Sequence, residues 1–358
     1  MAGDNNNSLG HFLNSTCEWL RGSGPESDIV LSSRIRLARN VEGYSFSGKL
    51  KPADQERLIG EVESAFEDLP SLKSTLFLDY KNLKEVDRQF LLERHLISRE
   101  HAAEKGAKAL SVSTDEVVSI MVLEEDHLRS QIFQSGLNLV EAWKRMNRLD
   151  SELGSKLAFA FHPTLGYLTA CPTNVGTGLR ASCMLHLAGL VMTKQVNKVL
   201  QAISKLNLAA RGFLGEGTEA SGNLFQFSNQ QTLGQKEEEI VDGLERVMRQ
   251  VIEHEKEARA HLMEKKRTKV EDQIWRSVGS LKSARLMTSA EAMNLLSLAR
   301  LGIDLGLIAN LSKTELNSLF IFIQPAHLQK INKGVLNASE RDEKRAELLR
   351  NRLKQVII

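Results

Sequence analysis

Two arginines alternate with apolar residues near the start of the chain, in the segment Ser32-Ser33-Arg34-Ile35-Arg36. Because successive side chains of a strand point to opposite faces, the pattern over residues 28–37 predicts a half-buried strand with Arg34 and Arg36 on one face. Two neighbouring guanidinium groups form a rigid bidentate fork for phosphate oxygens. The alternative is a solvated strand face with salt bridges.

A second segment places an acid four residues before an arginine. Residues 117–123 are a strand candidate that leads into Glu125 and Arg129. A spacing of four puts these two side chains on the same face of a strand or a helix, so one surface would handle both a cation and an anion. The alternative is a surface salt bridge, which contributes little to stability.

A third segment is the glycine-containing loop 172–178, which precedes residues 179–192. The latter are apolar on most sides and are predicted to form a buried helix, with Arg180 at its positive end. Such a loop and helix start would cradle an anion. It is not a Walker loop, since no Gly-Lys-Ser/Thr follows. Cys171, next to this positive charge, is a candidate thiolate, and the alternative is an inert buried thiol.

A fourth segment, residues 211–219, has three glycines around Glu216 and begins with Arg211. Glycines around a carboxylate are typical of a loop that closes over substrate, although a mobile surface connection has the same composition. The protein-kinase signatures H-R-D and D-F-G are absent. An ATP-binding hypothesis therefore depends on the arginines.

The elements that must position these groups divide the 358 residues into three parts. Residues 1–27 are predicted as a tail with a short helix, residues 28–258 as an α+β catalytic body, and residues 259–358 as an all-helical region. Thr288 and Ser312, each followed three residues later by Glu, predict helix starts by capping boxes. Ser339 is a candidate cap of the last helix.

Composition excludes several classes of partner. A net charge of +2, with three Trp and three Tyr, does not indicate nucleic-acid binding. No apolar run reaches the ~20 residues of a membrane span, and the first residues lack a secretory pattern. Three cysteines without metal-ligand spacing predict neither a disulfide framework nor a zinc site. The expected location is the cytoplasm.

Together, the four segments resemble the motifs of the phosphagen kinases, which include the creatine and arginine kinases. These motifs are S-x-R-x-R, E-E-D-H-x-R, C-P-[ST]-N-x-G-T-x-x-R and R-G-x-x-G-[ED], and they occur here in the family's order. The resemblance implies an α+β fold with a twisted, mostly antiparallel sheet flanked by helices. Leu123, where metabolic members have Asn, and Ala188-Gly189, where relatives have a proline, depart from the pattern.

Two further features indicate a branch of this family. Only 31 residues precede Ser32, whereas metabolic members have a longer helical domain there, and residues 341–346 match R-D-x-x-R-A in an added helical region. The chain therefore resembles the bacterial protein arginine kinases of the McsB type. This implies an enzyme that uses ATP and Mg²⁺ to phosphorylate arginine side chains of proteins.

The resemblance also implies roles for individual residues. Catalysis is assigned to Glu125, Glu216 and Cys171, and nucleotide contact to His95. The phosphate-binding set comprises Ser32, Ser33, Arg34, Ile35, Arg36, Arg129, Arg180, Ala181, Ser182, Cys183, Met184, Arg211, Gly212, Phe213, Leu214, Gly215 and Glu216. An allosteric phosphoarginine site is assigned to Arg341, Asp342, Arg345 and Ala346.

The same resemblance implies partners and leaves alternatives open. The implied partners are arginine-containing proteins, among them a heat-shock repressor, a zinc-binding activator and an AAA+ unfoldase–protease that recognises phosphoarginine. A homodimer is also expected, whereas direct contact with nucleic acid or membrane is not. The alternatives are a kinase for free arginine, and a non-catalytic adaptor that binds phosphoarginine.

Overall fold

A computed structural model describes residues 9–103, 106–212 and 221–356 of the chain. Its central feature is an eight-stranded antiparallel sheet in the order β2-β3-β4-β5-β1-β8-β10-β9. The strands are β1 (Val30–Arg39), β2 (Thr75–Asp79), β3 (Ala109–Ser113), β4 (Val118–Val122), β5 (Leu128–Ser135), β8 (Leu179–His186), β9 (Leu208–Gly212) and β10 (Leu224–Asn229). A separate hairpin consists of β6 (Phe161–His162) and β7 (Gly166–Tyr167).

Helices flank the sheet and then form the C-terminal region, so the predicted α+β class is confirmed. Those interspersed with or directly following the strands are α1 (Pro52–Glu67), α2 (Glu85–Glu93), α3 (Arg99–Ala103), α4 (Leu139–Gly154), α5 (Ala188–Met192), α6 (Val196–Lys205) and α7 (Glu237–Lys265). Those of the C-terminal region are α8 (Arg267–Ser283), α9 (Ser289–Asp304), α10 (Lys313–Phe322), α11 (Pro325–Ile331) and α12 (Ala338–Arg352). Within the described ranges, no helix has the length and apolar character of a membrane span.

Strand β1 lies in the middle of the sheet, between β5 and β8. Its alternation is as predicted: Ile35 and Leu37 are buried in the hydrophobic core, and Arg34 and Arg36 emerge on the opposite face, half-buried. Because β1 is hydrogen-bonded to a strand on each side, the backbone positions of both arginines are fixed.

The predicted helix over residues 179–192 is wrong. Residues Leu179–His186 form strand β8, and only Ala188–Met192 are helical. Nearly every residue of β8 is buried, since it lies between β1 and β10 inside the sheet. A strand covered on both faces has a continuous apolar sequence that periodicity cannot distinguish from a buried helix. Arg180 is therefore on a strand, not at a helix start.

The predicted helix starts in the C-terminal region are confirmed. The Thr288 hydroxyl accepts the Glu291 N–H at 3.2 Å, and the Ser312 hydroxyl accepts the Glu315 N–H at 3.1 Å. The last helix begins one residue before Ser339, and its cap is Asn337. An Asn satisfies the first N–H groups of a helix as well as Ser does.

Three hydrophobic clusters hold these layers together. The first lies between the sheet and helices α1, α4 and α7, the second joins the C-terminal helices to the sheet, and the third joins strands β2 to β4 to helices α2 and α11. The N-terminal segment contributes Trp19 and Leu20 to the second cluster and Leu9 and Phe12 to the third, so it packs against the C-terminal region. Arg300, which is fully buried, reinforces this contact by donating to the carbonyl oxygen of Ser27 at 2.7 Å.

Candidate active site

Five arginines reach one cleft from four strands of the sheet. Arg34 and Arg36 lie on β1, Arg129 on β5, Arg180 on β8 and Arg211 on β9. All five line a cleft of about 870 Å³. The strand register places Arg36 directly opposite Arg180, and cross-strand partners have Cβ atoms only about 5 Å apart. The sheet therefore gathers arginines that are far apart in sequence.

These charges are close enough to lower one another's pKa. Burial, Arg129 and Arg180 lower the pKa of Arg34 to about 9. Burial and Arg34 lower the pKa of Arg36 well below its usual value. The buried Nε of Arg36 has no hydrogen-bond partner in the described part of the chain. Such a cluster favours a multiply charged anion, whose oxygens accept hydrogen bonds and relieve the repulsion.

Arg34 is held in place by three contacts. Its Nε donates to the Ser182 hydroxyl at 3.4 Å, and its Nη2 donates to the Gln226 side-chain oxygen at 3.1 Å. Its guanidinium also lies 5.3 Å from the centre of the Phe133 ring. Gln226 was not singled out from the sequence as a site residue, because nothing in its local pattern shows that β10 approaches β1 across β8.

The turn between β4 and β5 carries the acidic motif. Leu123 has a left-handed backbone with φ of 58°. Arg129 forms its ion pair with Glu124 at 2.6 Å, and the Ser98 hydroxyl donates to the same carboxylate oxygen at 2.6 Å. Glu125 and Arg129 do line one cleft, but they are not paired. The spacing of four residues does not predict how these two side chains lie relative to each other, because residues 123–127 form a turn with neither helical nor strand periodicity.

The two glutamates of this turn differ in environment. Burial alone would raise the pKa of Glu124, but the charge and hydrogen bond of Arg129 hold it at about 2. Glu125 is exposed, and partial desolvation together with Asp126 and Glu124 raises its pKa. A carboxylate whose pKa moves towards neutrality is better suited to accept a proton.

Asp126 ties this turn to the cysteine loop. One of its carboxylate oxygens accepts the Asn40 amide and the backbone N–H of Ala170, each at 2.7 Å. Ala170 lines the cleft and directly precedes Cys171. Asp126 therefore fixes the position of Glu125 relative to Cys171. The position of Asp126 in the acidic motif is visible in the sequence, but its hydrogen bond from Ala170 cannot be predicted from it.

Cys171 is partly exposed, and its Sγ lies 3.0 Å from the Thr173 hydroxyl. Thr232 holds the loop that follows, because its hydroxyl donates to the carbonyl oxygens of Thr173 and Val175 at 2.8 Å each. The cysteine itself does not line the 870 Å³ cleft, although its neighbour Ala170 does. It thus lies at the margin of the cleft.

His95 also lines the cleft and lies two residues after the end of α2. Its backbone has φ of 60°, and its carbonyl oxygen accepts the Gln131 amide at 2.8 Å. Burial and the charge of Arg34 lower the pKa of His95 to about 3, so its ring is neutral at physiological pH. Because a neutral imidazole carries no charge, packing it against an aromatic ring does not require the desolvation of a charge.

The other residues of the predicted phosphate-binding set support the sheet. Ile35, Ala181 and Cys183 belong to the core on the far face. The Ser33 hydroxyl donates to the Gly136 carbonyl at 2.8 Å. Side chains that do not line the cleft over the described ranges are Ser32, Ser33, Ile35, Ala181, Ser182, Cys183 and Met184. Gly212 ends β9, and four predicted lid residues lie outside the described residues: Phe213, Leu214, Gly215 and Glu216.

The predicted phosphoarginine motif lies on helix α12, and its two arginines differ. Arg345 is buried and donates to the carbonyl oxygens of Ile323 and Met287, each at 2.8 Å, and to Asp342 at 2.5 Å. Arg341 is more accessible and donates to the Leu336 carbonyl at 2.8 Å. Ala346 is buried. Arg345 therefore braces the helix against its neighbours.

Over the ranges 9–103, 106–212 and 221–356, no three or more His, Cys, Asp or Glu side chains are grouped so as to hold a metal ion. The cleft instead combines cationic hydrogen-bond donors with two exposed carboxylates, those of Glu100 and Glu125.

Two family models match the sequence. Residues 57–258 match the ATP:guanido phosphotransferase C-terminal catalytic domain, and residues 267–357 match the protein-arginine kinase McsB C-terminal domain. The chain is 48% identical over 338 residues to the protein-arginine kinase of Symbiobacterium thermophilum, covering 94% of this chain and 96% of that one. It is 44% identical over 349 residues to the protein-arginine kinase of Bacillus subtilis, covering 97% and 96%.

Solved structures show the same fold. The duplicated taurocyamine kinase from Schistosoma mansoni, with bound transition-state-analogue components, matches with a TM-score of 0.59 and 27% identity. That match covers 65% of this chain and 34% of the duplicated chain. Lombricine kinase matches with a TM-score of 0.59 and 23% identity, covering 69% of this chain and 72% of that chain.

Proposed function

The chain belongs to the protein-arginine kinase family, and from this premise we propose how its cleft phosphorylates arginine side chains of proteins with ATP. The observation that carries the proposal is that five arginines and the exposed carboxylate of Glu125 line one cleft. Transfer of a phosphoryl group needs fixed cations around the phosphates and an acceptor held in line. The arginines supply the cations, and Glu125 is the carboxylate proposed to orient the acceptor.

On the nucleotide side, the arginines hold the phosphates. Arg36 and Arg180 stand opposite each other on adjacent strands, and the buried Nε of Arg36 lacks a partner among the described residues. This orphaned donor fits an anion. When bound, ATP would supply the phosphoryl group, and Mg²⁺ bound with it would neutralise part of the phosphate charge. His95, neutral and on the wall of the cleft, contacts the nucleotide.

On the acceptor side, Glu125 orients the guanidinium group. A guanidinium has a pKa above ~12, so its nitrogen is a poor nucleophile until a carboxylate positions it and accepts a proton. A nitrogen–phosphorus bond forms, the bond between the γ-phosphorus and the bridging oxygen breaks, and the nitrogen's proton passes to the carboxylate. Glu216 is proposed as the second carboxylate, and the side chain of Cys171 as a further partner of the guanidinium.

The two alternatives use the same residues differently. A free-arginine kinase would accept the amino acid itself, and a phosphoarginine-binding adaptor would bind without transfer. The full-length similarity to relatives named protein-arginine kinase favours protein substrates. Glu125, exposed in the cleft with a raised pKa, favours transfer over binding alone.

Finer features of the function are proposals that follow from family resemblance. They are a cytoplasmic homodimer with a catalytic body at 28–258 and a regulatory region at 259–358, whose residues 341–346 bind phosphoarginine. Its proposed partners are a heat-shock repressor as substrate, a zinc-binding activator, and an AAA+ unfoldase–protease that receives the phosphorylated proteins.

The test is a direct comparison of acceptors. The chain is incubated with Mg-ATP and either an arginine-rich protein or free arginine, and products are analysed by mass spectrometry without acid, which preserves the P–N bond. Phosphorylated arginine in the protein is expected. Phosphorylation of free arginine alone would establish the first alternative, and phosphoarginine binding without any transfer would establish the second.

A further inference from the structure

The end of helix α2 connects the nucleotide side of the cleft to the C-terminal helices. Glu93, its last residue, lines the cleft together with His95 and Gln324. The Glu93 carboxylate accepts the backbone N–H groups of Ala326 at 2.7 Å and His327 at 2.9 Å, at the start of α11. One side chain thus contacts the cleft and the C-terminal region at once.

This contact belongs to a continuous interface between α2 and α11. One turn before Glu93, the Phe90 ring stacks on the His327 ring with centres 5.1 Å apart and planes at 30°. At the other end, Lys330 forms an ion pair with Asp87. Three successive contacts therefore fix the two helices side by side, with Glu93 at the end nearest the cleft.

The residues after Glu93 are also held by contacts within the catalytic body. Arg94 is fully buried and forms a two-pronged ion pair with Glu116, at 2.7 and 2.5 Å. His95 is fixed through its carbonyl oxygen by Gln131 at 2.8 Å. The sheet thus holds this segment on one side, and Glu93 holds it to the C-terminal region on the other. Of the three contacts between α2 and α11, the one made by Glu93 is the one that lines the cleft.

We propose that Glu93 is a positioning residue for the kinase reaction: by binding the first turn of α11, it fixes the wall of the cleft that carries His95 and so sets the affinity for Mg-nucleotide. This inference rests on the proposed function, since it takes nucleotide as the ligand of the cleft. Glu93 is not assigned a part in the chemistry itself.

The charges around Glu93 make the contact sensitive to pH. Burial raises the pKa of Glu93 to about 7, although the two N–H groups, Arg345 and Arg341 act against the increase. On α11, burial and Arg94 lower the pKa of His327 to about 3, which leaves its ring neutral, and Lys330 is paired with α2. The ionised carboxylate accepts both N–H groups, whereas the protonated form loses an acceptor position. The contact therefore weakens as pH falls through about 7.

The experiment compares Glu93→Gln with wild type and with Glu67→Gln, an exposed glutamate that likewise ends a helix. The dissociation constant of Mg-ADP by calorimetry, and kcat and KM for Mg-ATP, are measured from about pH 6 to about pH 8, with circular dichroism to confirm folding. Above pH 7 we expect Glu93→Gln to weaken Mg-ADP binding about 5- to 10-fold, the effect of losing one hydrogen bond, with kcat changed less than about twofold. Glu67→Gln should match wild type.

The pH profile and a second variant separate positioning from direct contact. Wild-type affinity should fall as pH drops through about 7, and this dependence should be absent in Glu93→Gln. Lys330→Met loosens the same helix pair from outside the cleft and should also raise KM for Mg-ATP. If Glu93→Gln weakened nucleotide binding but Lys330→Met did not, Glu93 would act by touching the nucleotide, and the proposal would be overturned. Wild-type affinity in Glu93→Gln would overturn it too.

The proposed function has its own, separate outcome. If the wild-type chain bound Mg-ADP but phosphorylated no arginine, the kinase assignment would fail, while the comparison of dissociation constants would still decide the role of Glu93.

Discussion

The carboxylate of Glu124 lies 2.6 Å from the guanidinium of Arg129, and Ser98 donates to the same oxygen. Glu124 is 4% exposed, so the pair is shielded from solvent and holds Arg129 in one orientation. The neighbouring Glu125 is exposed. Within one turn, therefore, one glutamate is paired with Arg129 and the other is exposed in the cleft.

Glu124→Gln should remove a pH-dependent part of the stability. The pKa of Glu124 is about 2, below its ordinary value of 4.5. Its ionised form therefore stabilises the fold above about pH 4.5, and this contribution is lost as pH falls through about 2. We expect wild type to exceed Glu124→Gln by about 3 kcal/mol in unfolding free energy at neutral pH. Urea unfolding at several pH values measures this, and a difference that stayed constant down to acid pH would contradict it.

Glu125→Gln should abolish turnover without affecting the fold. Glu125 is exposed, so the unfolding free energy should change by less than about 0.5 kcal/mol. Loss of the proton acceptor should lower kcat at least ~10²-fold. Since the pKa of Glu125 is raised, wild-type kcat should decline as pH falls, because the base becomes protonated.

Steady-state kinetics across pH test this, with Glu63→Gln, an exposed glutamate of α1, as control. The sequence predicts a similar loss for Glu216→Ala. Near-normal turnover in both Glu125→Gln and Glu216→Ala would rule out a mechanism with two carboxylates.

Arg36→Lys should weaken nucleotide binding although the charge is retained. Lysine cannot reproduce the bidentate fork, and each hydrogen bond to a charged group contributes ~1.5–3 kcal/mol. We expect KM for Mg-ATP to rise ~10-fold or more, and Arg180→Lys, on the facing strand position, to behave alike. The control is Arg249→Lys, whose arginine is exposed in a surface pair with Glu245. Wild-type kinetics in both cleft variants would exclude these residues from the phosphate site.

Alkylation should be selective for Cys171. The other two cysteines, Cys17 and Cys183, are each 1% exposed, whereas Cys171 is partly exposed at the margin of the cleft. We expect iodoacetamide to label Cys171 and to inactivate the enzyme by blocking the acceptor side, and Cys171→Ser to retain part of the activity. Mg-ADP with an acceptor peptide should slow labelling, as peptide mass spectrometry would show. Labelling that they did not slow would place Cys171 outside the acceptor site.

Local patterns predicted part of this architecture for a clear reason. Arg34 and Arg36 were predicted on a strand because β1 buries one face and leaves the other half-buried, which produces a readable alternation. Strand β8 is buried on both faces, so its alternation is hidden and its sequence predicts a buried helix instead. Periodicity in a sequence reflects a difference in burial between the two faces of an element, and a strand that is buried on both faces has no such difference.

Contacts between distant residues were beyond the reach of such patterns. The Asp126 carboxylate accepts a hydrogen bond from a backbone N–H group 44 residues later in the chain, and Glu93 accepts one from a group 233 residues later. Neither contact leaves a trace in local spacing, because the partner is a backbone N–H that every residue except proline carries. The family motifs located the acidic turn, but only the folded chain shows which acid pairs with Arg129.

The two arginines of α12 are equivalent in the sequence motif but differ in burial and in hydrogen-bond partners. Arg345 is 2% exposed and bonds to two carbonyl oxygens and to Asp342. Replacing it with alanine leaves these buried acceptors unsatisfied, at a cost of about 1–3 kcal/mol each. Arg345→Ala should therefore lower the unfolding free energy by about 2 kcal/mol or more. Loss of phosphoarginine binding in this variant would not by itself identify a binding residue.

Arg341 provides the cleaner test, because it is more accessible and, among the described residues, donates one hydrogen bond, to the Leu336 carbonyl oxygen. A guanidinium grips phosphoryl oxygens with charge-assisted hydrogen bonds, so Arg341→Ala should weaken binding of free phosphoarginine to the full chain ~10-fold or more, with stability nearly unchanged. Calorimetry measures this, with Lys344→Ala as control, a cation of the same helix paired with Glu347. Equal affinity in wild type and Arg341→Ala would reduce residues 341–346 to a helix face with intrahelical pairs, each contributing only ~0.2–0.5 kcal/mol.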